Sequence, residues 1–299
     1  MRIENPVIID RHTDMTLSHL EHLTTDAARM SAMSHPEYRL RLYGHRGAPA
    51  HLPENTLPAF ERALADGANS LEIDVHPTSD GHFMVAHDPD GRRMAGVAEE
   101  IKTSTLHQVK KWNVAVGTGR NDLEHHAVPT LAETFEAFPG VPMSIDLKPD
   151  EPDAVAPLLE VVAQHGAENT VTLASFSNRV VQRMRELGYP GRTTLSKTEV
   201  ALLRFLPAVV ARRFVAGNSA HIPVEHHGIR LDGPRFIKRC RSLGLRVDYW
   251  VVDDPEEARR LLDLGATGIM SDDPALIAPV FDEFGNRDSH LSSRNPGRA

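Results

Sequence analysis

The chain has 299 residues, 40% hydrophobic and 25% charged, the balance of a globular protein with room for two domains or one barrel. A formal net charge of −8 leaves no nucleic-acid footprint, so an anionic ligand needs local positive charge or a metal. The single cysteine, Cys240, excludes an internal disulfide; the start lacks a signal-peptide pattern and no window is apolar for long enough to span a bilayer, so the expected location is cytoplasmic.

Residues 1–39 are polar with weak helical periodicity and read as an N-terminal extension. From Leu40 onward, short β-rich runs alternate with helical patterns. "LRLYGHRG" reads as a strand and "ENTLPAFERALADG" as a helix closed by glycine; "SLEIDVHP" is a strand, and "FMVAHD" its hairpin partner after the turn "TSDGH". Residues 89–128 break the rhythm and are too long for a plain loop, so they read as a small insertion. Then come the helix "VPTLAETFEAF", the strand "MSIDLKP", the helix "DEPDAVAPLLEVVAQHG" and the strand "TVTLASF". The helix "SNRVVQRMRELG" has Ser177 or Asn178 as its cap, followed by the strand "GRTTLS" and a helix from about Lys197. A weak strand falls within residues 214–223, and the helix "GPRFIKRCRSLG", the strand "RVDYWVV", the helix "DPEEARRLLDLG", the strand "TGIMSDDP" and the helix "ALIAPVFDEF" complete the series. The last fifteen residues, 285–299, have the composition of a disordered tail.

Without the hairpin partner this is about eight βα units, the tally of an α/β TIM (β/α)8 barrel spanning residues 40–284, with a small insertion after the second strand. A doubly wound sheet competes, but no glycine-rich dinucleotide turn supports it. Barrels gather function at the C-terminal ends of their strands. There stand His45 and Arg46, then Glu72 and Asp74, then His87 and Asp88, then Asp146 and Lys148, and later Trp250, Asp253, Ser271, Asp272 and Asp273. Glu72 and Asp74 are two apart and share a strand face, as do Asp146 and Lys148. Three acids on adjoining strands repel unless neutralised, and a hard divalent cation with oxygen ligands does that. Metal and Lys148 then suit a phosphate ester, with histidines moving protons. Each signal alone has a plainer reading: an exposed face, a turn, or an N-cap at Glu54–Asn55–Thr56.

These residues resemble the glycerophosphodiester phosphodiesterase family, in order from Leu40 to about Val280. The likeness rests on "GHRG", "PENTLPAF", "LEIDVHPTSDGHFMVAHD", "VPTLAETF", "SIDLKP" and "VDYWVVDDPEEARRLLDLGATGIMSDDP". The resemblance implies a TIM barrel that hydrolyses glycerophosphodiesters, small molecules, to an alcohol and sn-glycerol 3-phosphate with Mg²⁺ or Ca²⁺. By position it assigns His45 and His87 as the acid/base pair, Glu72, Asp74 and Asp146 as metal ligands, and Glu54 as an acid near the metal. Arg46 and Lys148 become phosphate contacts and Trp250 the aromatic beside glycerol, while Asn55 is left between cap and substrate contact. The resemblance also allows attack by the substrate's own hydroxyl through a cyclic phosphate.

Three features depart from the family's pattern. Asp146 stands where many members carry glutamate, and "DLK" matches the related sphingomyelinase D-like branch. Asp253 replaces the usual asparagine, and residues 1–39 have no counterpart. The alternatives are therefore a lysophospholipase D or sphingomyelinase D-like lipid phosphodiesterase and, in another class, a non-catalytic phosphodiester-binding barrel. In the lipid reading the apolar, Arg-edged stretch of residues 200–217 lies against a membrane; in the plainer reading it is a barrel helix and strand. Trp112, in the insertion, either covers the pocket or packs the insertion.

Overall fold

The computed structural model describes residues 39–120 and 122–293, with side chains as far as Gly285. The expected extension over residues 1–38 and the last residues of the tail, 294–299, lie outside the described residues.

Eight parallel strands build the barrel. They are β1 (Arg41–His45), β2 (Ser70–Pro77), β4 (Met143–Leu147), β5 (Val171–Ala174), β6 (Arg192–Thr193), β7 (Ser219–Pro223), β10 (Arg246–Trp250) and β11 (Gly268–Ser271). They pair in the order β6-β5-β4-β2-β1-β11-β10-β7, and a parallel bridge between Thr194 and Ser219 joins the two ends. The short strand β3 (Phe83–Val85) pairs antiparallel with β2, the expected hairpin. The ribbon β8 (Glu225–His226) and β9 (Ile229–Arg230) follows β7 at the barrel's top. The expected weak strand forms as β7, while "GRTTLS" supplies only the two residues of β6.

Helices cover the sheet where the sequence gives caps. Thr56, not Asn55, is the N-cap of α1 (Leu57–Ala65), its hydroxyl accepting from the Ala59 amide. Ser177 caps α6 (Asn178–Glu186), one of the two expected candidates. Ser196 and Glu199 form a capping box on α7 (Lys197–Phe205), which leads through Pro207 into the short α8 (Ala208–Ala211). Between β1 and α1, Gly47 has φ +92°, and a Cβ there would meet Ala59 backbone carbon at 2.7 Å. Only glycine lets the helix seat so close to the end of β1.

Residues 89–128 fold as short helical turns over a small core of their own, with Met94, Ile101, Val109, Trp112 and Val114 packed against Met84 and Ala86 of the hairpin. Trp112 is buried and packs the insertion. The last helix, α11 (Pro274–Ser293), runs past residue 284, into the stretch expected as a tail. The polar composition of residues 285–293 contains no proline, so nothing in it stops a helix already anchored by Ile277, Val280 and Phe284.

Below the cavity the barrel carries a buried polar cluster. Asp248 accepts from Tyr43 Oη at 3.1 Å, Arg246 Nη2 at 3.1 Å and Thr267 Oγ1 at 2.6 Å, and His221 Nε2 lies 3.3 Å away. Gly268 on the neighbouring strand leaves room for it, since a Cβ there would stand 2.7 Å from Asp248 Oδ1.

Candidate active site

Strand register brings the polar residues together. On β2 the apolar Leu71, Ile73 and Val75 pack outward in the main core, and the alternate residues Glu72, Asp74 and His76 take the other face. Along the ladders His45 sits opposite Glu72, and Asp74 opposite Asp146. His45, Arg46, Glu72, Asp74, His87, Asp146, Lys148 and Trp250, eight of the ten expected site residues, line one cavity of ≈ 400 Å³.

The ion pairs within it are dense. Lys148 Nζ lies 2.6 Å from Asp74 Oδ1 and 2.7 Å from Asp146 Oδ2, bridging the two strands. Arg46 Nε is 3.3 Å from Asp74 Oδ2, and its Nη1 is 3.3 Å from Glu54 Oε1. Asn55 Nδ2 donates to Asp74 Oδ2 at 3.0 Å, and the Asn55 amide donates to the Arg46 carbonyl at 2.9 Å. Arg46 and Asn55 both hold left-handed backbone, φ 55° and 57°, a costly conformation outside glycine that their mutual bond and the buried acids maintain. The Asn55 side chain holds Asp74, while Thr56 serves the helix end.

Both histidines are oriented through Nδ1. His45 Nδ1 is 2.6 Å from Asp272 Oδ1, and His87 Nδ1 is 2.7 Å from Asp88 Oδ1. Asp253 supports the first pair, accepting from Ser271 Oγ at 2.7 Å and from the Asp272 amide at 2.8 Å. Arg93 Nε donates to Asp88 Oδ2 at 2.6 Å, and the same guanidinium grips both oxygens of Glu54. Glu54, the acid expected near the metal, thus joins Arg46 to Arg93, which arrives out of the insertion. His76 holds the His87 carbonyl through Nε2 at 3.1 Å.

The charges are unequal. Burial, with the Asp74 charge beside it, raises the Glu72 carboxyl to about 7. Burial also raises Asp146. Burial pushes Asp74 the same way, but Lys148 and Arg46 outweigh it and hold the carboxyl below its ordinary value. For His45 burial disfavours the cation, yet the hydrogen bond to Asp272 and the charge of Glu72 raise its pKa.

The site fits a hard cation on one observation. Glu72 Oε2, Asp146 Oδ1 and Asn55 Oδ1 are buried oxygens with no hydrogen-bond donor among the described residues. Orphaned oxygens of this kind are what a divalent ion accepts. A different trio, His51, Asp66 and Asp273, has ligand atoms within 4.8 Å of one another, but none of the three lines the cavity.

Phe176 meets Trp250 edge to face, ring centroids 5.9 Å apart, so Trp250 stands at the cavity wall rather than in the core. Sequence reasoning misses Arg93 and Phe176. The dipeptides His87–Asp88 and Asp272–Asp273 were visible as polar strand ends, but only the closed barrel shows which histidine each acid serves.

A glycerophosphoryl diester phosphodiesterase family model matches residues 45–276. Among similar proteins, a glycerophosphodiester phosphodiesterase of Caldanaerobacter subterraneus is 28% identical over 238 residues, covering 78% of this chain and 94% of that protein. A human lysophospholipase D is 24% identical over 273 residues, covering 80% of this chain and 85% of its own. Among solved structures, an Oleispira antarctica phosphodiesterase in complex with the product sn-glycerol-3-phosphate superposes with TM-score 0.69 at 22% identity, covering 81% of this chain and 96% of that one. A Silicibacter pomeroyi structure described as a glycerophosphoryl diester phosphodiesterase gives TM-score 0.69 at 24% identity over 84% and 95%. At these identities the structural likenesses speak for the barrel fold.

Proposed function

The chain belongs to the glycerophosphoryl diester phosphodiesterase family, and from that premise we propose that it hydrolyses glycerophosphodiesters to an alcohol and sn-glycerol 3-phosphate. One observation carries the reading: strand register sets His45 opposite Glu72 and Asp74 opposite Asp146, so proton carrier, acids and phosphate cations share one cavity. The phosphodiesterase domain is residues 40–284.

Glu72, Asp74 and Asp146, with Glu54 nearby, would hold a divalent cation, Mg²⁺ or Ca²⁺. When bound, it neutralises charge that builds on the phosphate oxygens. Arg46 and Lys148 fix the non-bridging oxygens, and Asn55 keeps Asp74 aimed. Each histidine donates Nδ1–H to its own aspartate, which leaves Nε2 for the substrate. One Nε2 takes the proton from the attacking hydroxyl and the other gives one to the departing alkoxide, while the P–O bond to the head-group alcohol breaks. The attacker is water or, through a cyclic phosphate, the substrate's glycerol hydroxyl. Trp250 and Phe176 flank the organic part of the substrate.

A second reading of the substrate, a lysophospholipid, is favoured by the cavity's other wall. Leu195, Val200, Ile222 and Leu231 line it, more apolar surface than glycerol and a small head group need. Phosphorus NMR of products from a panel of glycerophosphodiesters and lysolipids, with and without EDTA, tests both. Phosphate monoester released from soluble diesters and abolished by EDTA supports the first reading, monoester from lysolipids alone the second. Activity that survives thorough chelation overturns the metal assignment, and no turnover with any metal favours a binding barrel.

A further inference from the structure

We propose that α7–α8 and the turn after them, residues 197–214, form a docking face for an anionic lipid bilayer, onto which the cavity opens. Of the ten large apolar side chains that stand exposed among the described residues, four fall here: Phe205 at 68%, Val209 at 67%, Val210 at 41% and Phe214 at 57%. Three more, Phe176, Ile229 and Val251, are exposed on the lip of the cavity, which Phe205 and Arg204 also line. Only Val116, Leu187 and Leu276 of the ten lie elsewhere among the described residues, so this concentration is a patch rather than scatter.

The face is built, not frayed. Leu203 and Ala211 are fully buried in the main core, and Arg239 holds the Leu206 carbonyl at 2.6 Å, so the exposed phenylalanines and valines project from a fixed platform. Charge names the occupant. In a chain of net charge −8, residues 200–224 carry Arg204, Arg212 and Arg213 and no acid. The preceding acid, Glu199, is buried and spent on Arg185. Arg212 and Arg213 are exposed, with no carboxylate partner among the described residues. Apolar side chains flanked by arginines complement the interface of a bilayer with anionic head groups. A second copy of the chain fits less well, because a two-fold contact would set Arg212 and Arg213 against their own counterparts. No helix among the described residues is long and apolar enough to cross a membrane.

The proposal leans on the phosphodiesterase reading only for what the cavity holds, and vesicle binding is read without turnover, so the two fail separately. The full chain is floated with phosphatidylcholine vesicles with and without phosphatidylglycerol, at low and high salt. Binding to the mixed vesicles at least ~10-fold tighter, weakening with salt, is the expected result. The variant Val209→Ser/Val210→Ser/Phe214→Ser should lose at least ~10-fold of that binding. The variant Arg212→Glu/Arg213→Glu should lose the preference for phosphatidylglycerol. Both should match the parent in circular dichroism and melting temperature, which shows that they fold. No binding of the parent to either vesicle overturns the proposal, as does equal binding by parent and variants. A concentration-dependent dimer that the apolar substitutions abolish would also overturn it, giving the face to a second copy.

Discussion

His45 Nδ1 stands 2.6 Å from Asp272 Oδ1, although 227 residues separate the two in sequence. The bond occupies Nδ1 and leaves Nε2 toward the cavity, and it raises the pKa against the opposing effect of burial. Asp272→Asn keeps an acceptor but removes the charge. It should lower kcat by about 10²-fold, since orientation and charge support underlie acid–base catalysis worth ~10²–10⁴. The His45 limb of the pH–rate profile should move to lower pH, because the group raising its pKa is gone. A rate loss with an unmoved limb would make Asp272 a loop residue only.

His45→Ala and His87→Ala should each cost at least ~10²-fold in turnover of glycerophosphocholine. Both side chains line the cavity, and neither belongs to the buried core, so circular dichroism should match the parent. Near-normal turnover in either variant removes that histidine from the mechanism.

Glu72 sets function against stability. Burial and the Asp74 charge raise its carboxyl to about 7, above the unfolded value near 4.3. The folded metal-free chain therefore binds the proton more tightly than the unfolded one. That contribution to stability is full below the unfolded pKa and is lost as pH rises through 7. At pH 8 and without metal, Glu72→Gln should melt at a higher temperature than the parent, yet it should need at least ~10-fold more metal for activity. Calorimetry in EDTA beside a metal titration of rate separates the two effects. A variant that melts lower in EDTA would mean that Glu72 is already paired.

Much of this site is readable in sequence because a strand's side chains repeat every second residue. Glu72 with Asp74 and Asp146 with Lys148 declare a shared face without any structure. What period two cannot give is register between strands, and register is what puts Asp74 opposite Asp146. Lys148 looked like a phosphate contact beside the acids; the fold adds that it bridges Asp74 and Asp146 across two strands. The pairing of Glu54 with Arg93, 39 residues away, is not legible in sequence because Arg93 sits in an insertion without periodicity. Thr56 and Asn55 are adjacent cap formers, and only the left-handed backbone of Asn55 shows which one turned toward Asp74. Strand β6 came out shorter than "GRTTLS" suggested because after Thr193 the barrel is completed by the bridge from Thr194 to Ser219.

The cluster beneath the cavity governs acid stability. Burial pushes the Asp248 carboxyl up, but the Arg246 guanidinium and the His221 ring outweigh it and hold the pKa far below the ordinary carboxylate value. A depressed folded pKa contributes stability that is present above the unfolded value, near 3.9, and is lost as pH falls through the folded one. Asp248→Asn removes that contribution and also the carboxylate against the buried Arg246, a break that typically costs about 3–5 kcal/mol. The variant should unfold at lower denaturant than the parent at pH 7, and the gap should narrow as pH falls toward 3. Its melting should be restored in part by Arg246→Met in the same chain, which removes the stranded cation. A single variant as stable as the parent at pH 7 would show that Tyr43, His221 and Thr267 hold the cluster without the charge.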